Sequence, residues 1–574
     1  MQAFHISRLA PIALLALAAF GCSGKSSTDA NANGNAAGGS GPGGNGVSGS
    51  GGTTGVMQTG PAGGGGPGAG GTAVTGNVGG GPGTDPADPR LQARVWRLTP
   101  TQYNGEVQRF FPGAPTVDLP VGGSEYGLTN IASAARIDTG NATQYTEAAR
   151  SIGTWVATQG AAAARCTTFG TTECVDAFLD WFLPAAYRRP PTTAERTEIR
   201  GVYDDTVATY GPDWAFSAMV RTVLLAPQFL YRTEIGPDGT GIVPIDDYEI
   251  ASLMSFSLLD QGPDQALLTD AEAGMLHDPT VREQHARRLM DGTASIWQRF
   301  FWEWLKMSTL QSQGVETGLN PTLIAGLQDE YNAFVQNVVV TNRGSLSTLL
   351  TSNHTWGSTE VATYYGATQP AAGVAAFDLD PAQRGGLLTL GAWLVSHGKK
   401  GRDNVVRRGM GVYRDAMCLD IKPLNIDLQA AQMMLVGADA TIKQIADARG
   451  SSPTCGACHA TSDPVGLAFE SYAGDGTWQT TYPDGKPVEA QVTWNGMQYN
   501  TPAEVSAAIA QDPRFGQCLV QRFGHFLLGA DYGSPVTVRA SGAAYDAFKT
   551  SNGSFEELLV AIVRDPTFIE RRKE

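Results

Sequence analysis

Two cysteines separated by two small residues and followed at once by histidine, Cys455-Gly456-Ala457-Cys458-His459, are the part of this chain best suited to chemistry. Cys-x-x-Cys-His is the spacing for covalent attachment of haem c. The two thiols add across the porphyrin vinyl groups, and the adjacent imidazole reaches the iron as one axial ligand. The same thiols could instead form a disulfide, act as a redox dithiol or supply half a zinc site. Zinc would need two more ligands at suitable spacing. The chain has no second Cys-x-x-Cys, and the next histidine, His525, lies far downstream. A thioredoxin-like dithiol would want a βαβ context, which the pattern lacks.

One haem c per chain could do two jobs. With six ligands it shuttles electrons; with five, its open face binds or activates a small molecule such as peroxide. Met497 is the first candidate for the sixth ligand, with Met433, Met434, His397 and His525 behind it, although a methionine is more often a core filler. His277, His285 and His354 read as structural or exposed. Other chemistry leaves no signature. There is no His-Glu-x-x-His and no Gly-x-Ser-x-Gly elbow in a strand–turn–helix setting. Asp246-Asp247 stands at a helix start, where the helix dipole explains it.

Haem is attached outside the cytoplasm, so the first residues matter. Residues 1–22 read as an export signal. Arg8 provides the positive charge, and Leu9 to Phe20 is uncharged and too short to span a bilayer. Gly21-Cys22 looks like a bacterial lipobox, which predicts a lipid on Cys22; Ala19 and the bulky Phe20 depart from that pattern, and plain secretion is the alternative. Ser23 after the cysteine resembles the signal for outer-membrane delivery, so the expected location is the cell envelope, at the outer membrane or cell surface. Residues 23–89 are dominated by Gly with Ser, Thr, Ala, Pro and Asn, a composition that cannot offset its ordering entropy. The segment reads as a disordered tether with an r.m.s. reach of about 45 Å. Its Gly63–Gly66 run has no preceding strand and no following Lys-Ser/Thr, so it is not a phosphate loop.

The chain carries a net charge of −15 and a pI near 5.0. That argues against a nucleic-acid partner and leaves membrane contact to the lipid; an acidic surface could favour a basic redox partner. With Cys22 assigned to lipid and Cys455 and Cys458 to haem, four of the seven cysteines remain. Cys166–Cys174 is the expected local disulfide. Cys418–Cys518 would bracket the haem motif, closing a loop worth about 4.7 kcal/mol in chain entropy before strain. The alternatives are free buried thiols, or a bridge from one of them to Cys455 or Cys458, which would end the haem reading.

The periodicity predicts a mainly α, multi-module body: an N-terminal helical module over 90–240, a central one over 241–382 and a cytochrome c-like module over 383–574. Thr99, Thr192 and Asp246 read as N-caps. Pro184 is expected to end or kink the helix that starts near Val175, and a long helix is expected over 213–233. Trp297, Phe300, Phe301, Trp302 and Trp304 read as core. A small β-hairpin is expected over 477–494, turning at Asp484-Gly485.

Eight short motifs stand in a characteristic order: Arg97-Leu98-Thr99-x-x-Gln102-Tyr103-Asn104, Ala186-Tyr187-Arg188-Arg189-Pro190, Leu225-Ala226-Pro227-Gln228-Phe229-Leu230-Tyr231-Arg232, Tyr248-Glu249-Ile250-Ala251, Arg407-Arg408-Gly409, Cys455-x-x-Cys458-His459, Asp463-Pro464-x-Gly466-x-x-x-Glu470 and Thr567-Phe568-Ile569-x-Arg571-Arg572. In this the chain resembles an exported family of planctomycetes and myxobacteria, the cytochrome-associated domains of unknown function. The resemblance implies export and a cytochrome-like C-terminal module, and leaves the substrate open. Many relatives carry a further cytochrome-like domain where this chain has its tether, so at most one haem is expected. Three readings follow: an anchored monohaem electron-transfer protein, a peroxidase-like haem enzyme, or a haem-free surface binding or scaffold lipoprotein held by disulfides.

Overall fold

Each of the three predicted N-caps closes a reciprocal box. Thr99, Thr192 and Asp246 accept from the backbone N–H three residues on, and the side chains of Gln102, Glu195 and Glu249 return the bond. Two orphan donors are thereby satisfied at the head of the Pro100–Phe110, Thr193–Leu225 and Asp247–Leu259 helices. The computed structural model describes residues 90–574 except 126, 135–138, 369, 371–372, 402–403, 420–438 and 531–534. The signal segment, Cys22, the tether, Met433 and Met434 lie outside the described residues.

The architecture is mainly α, with four small sheets. Apolar side chains gather into two cores. One runs from Leu98 to Leu230 and takes in Phe256. The other holds Leu91, Leu128 and Ile131 and then runs from Ile245 to Ile569. The segments read as central (241–382) and C-terminal (383–574) therefore share one continuous core. The Trp297–Trp304 aromatics sit inside it, with Trp297 stacked on Phe523 at 4.0 Å between ring centroids; Trp302 is only partly buried.

Three local expectations change. The Thr172–Tyr187 helix does not end at Pro184. The ring removes one backbone donor, but Leu183, Ala186 and Tyr187 are buried around it and hold the last turn. The helix expected over 213–233 stops at Leu225, because Pro227 forces Ala226 into the extended region (φ −66°, ψ 140°). Tyr231–Glu234 then forms a strand antiparallel to Arg94–Arg97. The hairpin turns at Asn495-Gly496 rather than Asp484-Gly485, joining Val492–Trp494 to Met497–Tyr499. Asn495 and Gly496 both take positive φ, 50° and 78°, as a two-residue hairpin turn requires. Asp484-Gly485 makes a tight turn flanked by a single bridge, Thr481 to Pro487.

The C-terminal strand Glu570–Lys573 lies between Leu91–Gln92, to which it is parallel, and Gly241–Pro244, to which it is antiparallel. Beneath it Arg571 Nε donates to Glu234 at 2.8 Å, and Arg94 Nε donates to the same carboxylate at 2.9 Å. Burial pushes the Glu234 carboxyl up, but Arg571 and Arg94 outweigh it and hold its pKa at about 2.

Glycines set the closest helix crossing. A Cβ on Gly466 would stand 1.9 Å from the Val405 carbonyl oxygen, and one on Gly409 would stand 2.4 Å from that of Ser462. The Val405–Met410 and Gly456–Ala468 helices thus meet backbone to backbone.

Replacing Glu234 with Gln leaves Arg571 buried without its counter-charge and is expected to cost about 3–5 kcal/mol in urea unfolding at neutral pH. Between pH 4.5 and 2 the unfolded carboxyl takes up a proton that the folded one refuses, so the pair's contribution fades as pH falls through that window. The Gln variant loses that share of acid sensitivity. Gly466→Ala must separate two helices and is expected to cost about 1–3 kcal/mol or more by the same measurement.

Candidate functional site

Cys455, Cys458 and His459 are presented by the joint between two helices. The Ile442–Ser451 helix opens on a Thr441/Gln444 capping box. Pro453 cannot continue it, and Ser452 Oγ accepts from the Cys455 N–H at 3.3 Å. The Cys455 carbonyl then accepts from the N–H groups of Cys458 (3.2 Å) and His459 (3.0 Å), starting the Gly456–Ala468 helix. Helical spacing at i, i+3 and i+4 puts the two thiols and the imidazole on one face. Small residues at the joint are obligatory: a Cβ on Gly456 would lie 2.6 Å from the Gly450 carbonyl oxygen.

The imidazole is held from behind. His459 Nδ1 lies 2.9 Å from Asp463 Oδ1, and Arg449 Nε donates to Asp463 Oδ2 at 2.8 Å. The Arg449 and Asp463 side chains are 1% and 2% exposed, against 13% for His459. An ionised carboxylate only accepts, so in the neutral imidazole the proton sits on Nδ1 and the Nε2 lone pair stays open. Nε2 makes no hydrogen bond to the described residues. A carboxylate behind a histidine is the arrangement that fixes the tautomer and ring plane of a metal-ligating imidazole. The His-x-x-x-Asp spacing was a readable signal for Asp463; Arg449 comes from the neighbouring helix and left none.

The far end of this helix is anchored by Arg408, which donates to the carbonyls of Phe469 (2.7 Å), Tyr472 (2.6 Å) and Ala473 (2.6 Å). Glu470 accepts from the Asn404 N–H at 2.9 Å and the Tyr482 hydroxyl at 3.1 Å. The Arg407-Arg408-Gly409 and Asp463…Glu470 motifs therefore interlock to fix the helix that carries His459.

Disulfides join Cys166 to Cys174 and Cys418 to Cys518, with Cα–Cα distances of 5.2 and 5.4 Å. Cys455 and Cys458 are free thiols, the first buried and the second half-buried. Met497 opens the outer strand of the hairpin and is 63% exposed, while it is the inner strand, Val492–Trp494, that packs on the His459 helix. His525 is buried, with Nε2 3.7 Å from Glu125. His397 stacks on Trp393 with Nδ1 3.0 Å from the Trp393 carbonyl; burial lowers its pKa to about 4, so it is neutral at pH 7. The structure thus brings Cys455, Cys458 and His459 together and leaves Met497 on the surface. Among the described residues no group of three or more His, Cys, Asp or Glu side chains is arranged to hold a bare metal ion, and no helix is long and apolar enough to cross a membrane.

Three family models match the chain, each described as a protein of unknown function. They are PSD5 (DUF1595) over 174–234, PSD4 (DUF1592) over 245–367 and PSCyt3 (DUF1588) over 384–482. The Cys-x-x-Cys-His run falls within the last of these. No curated protein and no solved structure matches. Together the three matches support placing the chain with the planctomycete-type, cytochrome-associated domains of unknown function.

Proposed function

We propose that this chain is an exported electron-transfer protein carrying one c-type haem, with Cys455 and Cys458 as the thioether attachment points and His459 as the proximal iron ligand. The observation that carries the reading is the pairing of two free thiols with an imidazole whose Nδ1 is fixed by Asp463 and whose Nε2 is unengaged. A porphyrin brings four nitrogen ligands of its own, so this site needs to supply only the axial ones. When bound, the haem supplies a one-electron iron couple. The protein's part is to hold the imidazole rigid: Arg449 holds the Asp463 carboxylate in place, and Asp463 accepts from the ring at Nδ1. A carboxylate partner makes the imidazole a stronger donor and favours the more highly charged metal. The PSCyt3 match over the same residues agrees with a cytochrome-type module. The lipid on Cys22 and the 23–89 tether would hold the body at an envelope membrane, within reach of a redox partner protein. Met497 would become the sixth ligand only if the hairpin moved towards the His459 face.

Expression with a haem-maturation system in an oxidising compartment is expected to yield protein heavier by one haem under denaturing mass spectrometry, with a c-type reduced spectrum. Cys455→Ala/Cys458→Ala is expected to return the unmodified mass while keeping the helical circular dichroism. A wild-type chain that emerges at its apoprotein mass sinks the proposal; binding of carbon monoxide to the reduced form would move the reading from electron carrier to open-site enzyme. Asp463→Asn is expected to raise the midpoint potential, by about 60 mV for each tenfold preference for the oxidised state that the carboxylate confers.

A further inference from the structure

The carboxyl of Glu330 is a buried group that the redox reading leaves unused. It stands on the Pro321–Val335 helix and is fully buried. Two hydroxyls hold it: Thr355 Oγ1 donates to Oε1 at 2.9 Å, and Tyr365 Oη donates to Oε2 at 2.6 Å. Among the described residues no Lys, Arg or His lies within ion-pair distance of it. A carboxyl taken out of water without a cation is costly in its charged form. Burial accordingly pushes the Glu330 pKa up to about 7, against the pull of the Tyr365 and Thr355 bonds and of the Arg384 charge.

The Tyr365 hydroxyl has a second partner. Its oxygen accepts from the Gly391 N–H at 2.7 Å. Gly391 opens the Gly391–Ser396 helix, whose N-cap, Leu390, offers no side-chain acceptor. The hydroxyl thus takes one of the donors that a helix start leaves over. Glycine permits the approach: a Cβ at 391 would stand 3.1 Å from Tyr365 Oη and 2.6 Å from the Leu327 side chain. Glu330 and Tyr365 lie in the PSD4 match and Gly391 in the PSCyt3 match, so the chain of bonds ties one to the other. The tied helix lies against the end of the one that carries His459, with the Trp393 and Phe469 ring centroids 5.4 Å apart.

The charged and titratable groups on the surrounding elements hold a fixed state or are engaged elsewhere. Burial raises the pKa of both Tyr364 and Tyr365, so they stay protonated. Arg384 lies over the Tyr365 ring at 4.5 Å and donates to the Thr389 and Gly476 carbonyls. His354 alternates with Thr355 along its strand, pointing to the opposite face, and pairs with Asp378. Glu360 accepts from Asn320 and Glu303 from Thr129, Arg299 pairs with Asp260, the Tyr331 hydroxyl donates to the Gln298 carbonyl, and Glu316 and Asp329 are exposed.

We propose that Glu330, Tyr365 and the Gly391 N–H form a proton-operated latch, which tightens when Glu330 is ionised and slackens when it takes up a proton. An ionised carboxylate accepts a charge-assisted bond from the Tyr365 hydroxyl, roughly twice as strong as the bond to a neutral carboxyl. A hydroxyl that donates strongly also accepts more strongly from Gly391, because bonds in a chain polarise one another. Between pH 4.5 and 7 the folded chain keeps a proton that the unfolded chain gives up, so this share of global stability is lost as pH rises through the window. The local tie tightens over the same window. The latch works with or without haem and is independent of the electron-transfer reading.

The test uses the full chain. Infrared difference spectra between about pH 5.5 and 8.5, a range in which ordinary carboxyls stay ionised, are read for the C=O stretch of a protonated carboxyl. Wild type is expected to show a band that titrates near pH 7 and that Glu330→Gln lacks. Subtracting the variant removes any contribution from Glu303, whose pKa burial also raises. Tyr365→Phe keeps the ring and deletes the donor; it is expected to move the midpoint up by about one pH unit, and it carries the test should Glu330→Gln not fold. Hydrogen exchange over 387–397, corrected for the intrinsic effect of pH, is expected to be about fivefold slower at the upper pH in wild type and equally fast at both in Glu330→Gln. A band that survives in Glu330→Gln, a wild-type midpoint in the ordinary carboxyl range, a midpoint unmoved in Tyr365→Phe, or wild-type exchange over 387–397 that ignores pH overturns the proposal.

Discussion

A guanidinium group buried against main-chain carbonyl oxygens is the device on which this fold depends. Helix ends leave carbonyls without partners, and a large body of short helices has many such ends inside it. Arg188, Arg282, Arg384 and Arg408 each sit in the interior and donate to carbonyls from segments distant in sequence. Arg282 alone spans the Leu276 and His277 carbonyls and that of Val563. Each such residue ties together segments that lie far apart in the sequence. The cost is a buried charge, which Glu234 compensates for Arg571 and which the carbonyl dipoles share elsewhere.

The candidate redox site inherits its geometry from that device. Arg408 fixes one end of the His459 helix, the Gly409 and Gly466 crossing fixes its distance from the Val405–Met410 helix, and Arg449 with Asp463 fixes the ring. Cys455, Cys458 and His459 share the other face of the helix, at i, i+3 and i+4. The stacking of constraints behind the imidazole explains why Gly, Arg and Asp recur in the motifs around a site whose chemistry would rest on Cys and His.

The motifs themselves divide by role. Thr99 with Gln102, Thr192 with Glu195, and Asp246 with Glu249 are helix caps, legible because capping is decided by four consecutive residues. Arg571 in the C-terminal motif is a core ion-pair residue whose partner, Glu234, is 337 positions away; nothing local announces it. Arg188 belongs to both groups, since it stands at a helix C-cap and donates to the carbonyls of Gln228, Phe229 and Tyr231, some 40 residues on.

The sequence by itself determined the helical class, the caps, the aromatic core around Trp297 and the grouping of two thiols with an imidazole, because each is a property of spacing along a few turns. Tertiary structure decided the rest. It extended the Thr172–Tyr187 helix past Pro184 and ended the next long helix at Leu225. It moved the hairpin turn to Asn495-Gly496, fused the central and C-terminal segments into one core and set Arg449 behind Asp463. The helix end and the hairpin turn follow from local chemistry, Pro227 and Asn495-Gly496, that competes with other local signals; the shared core and the Arg449 contact rest on burial and charge pairing between residues brought together by folding, and such pairings leave no period in the chain.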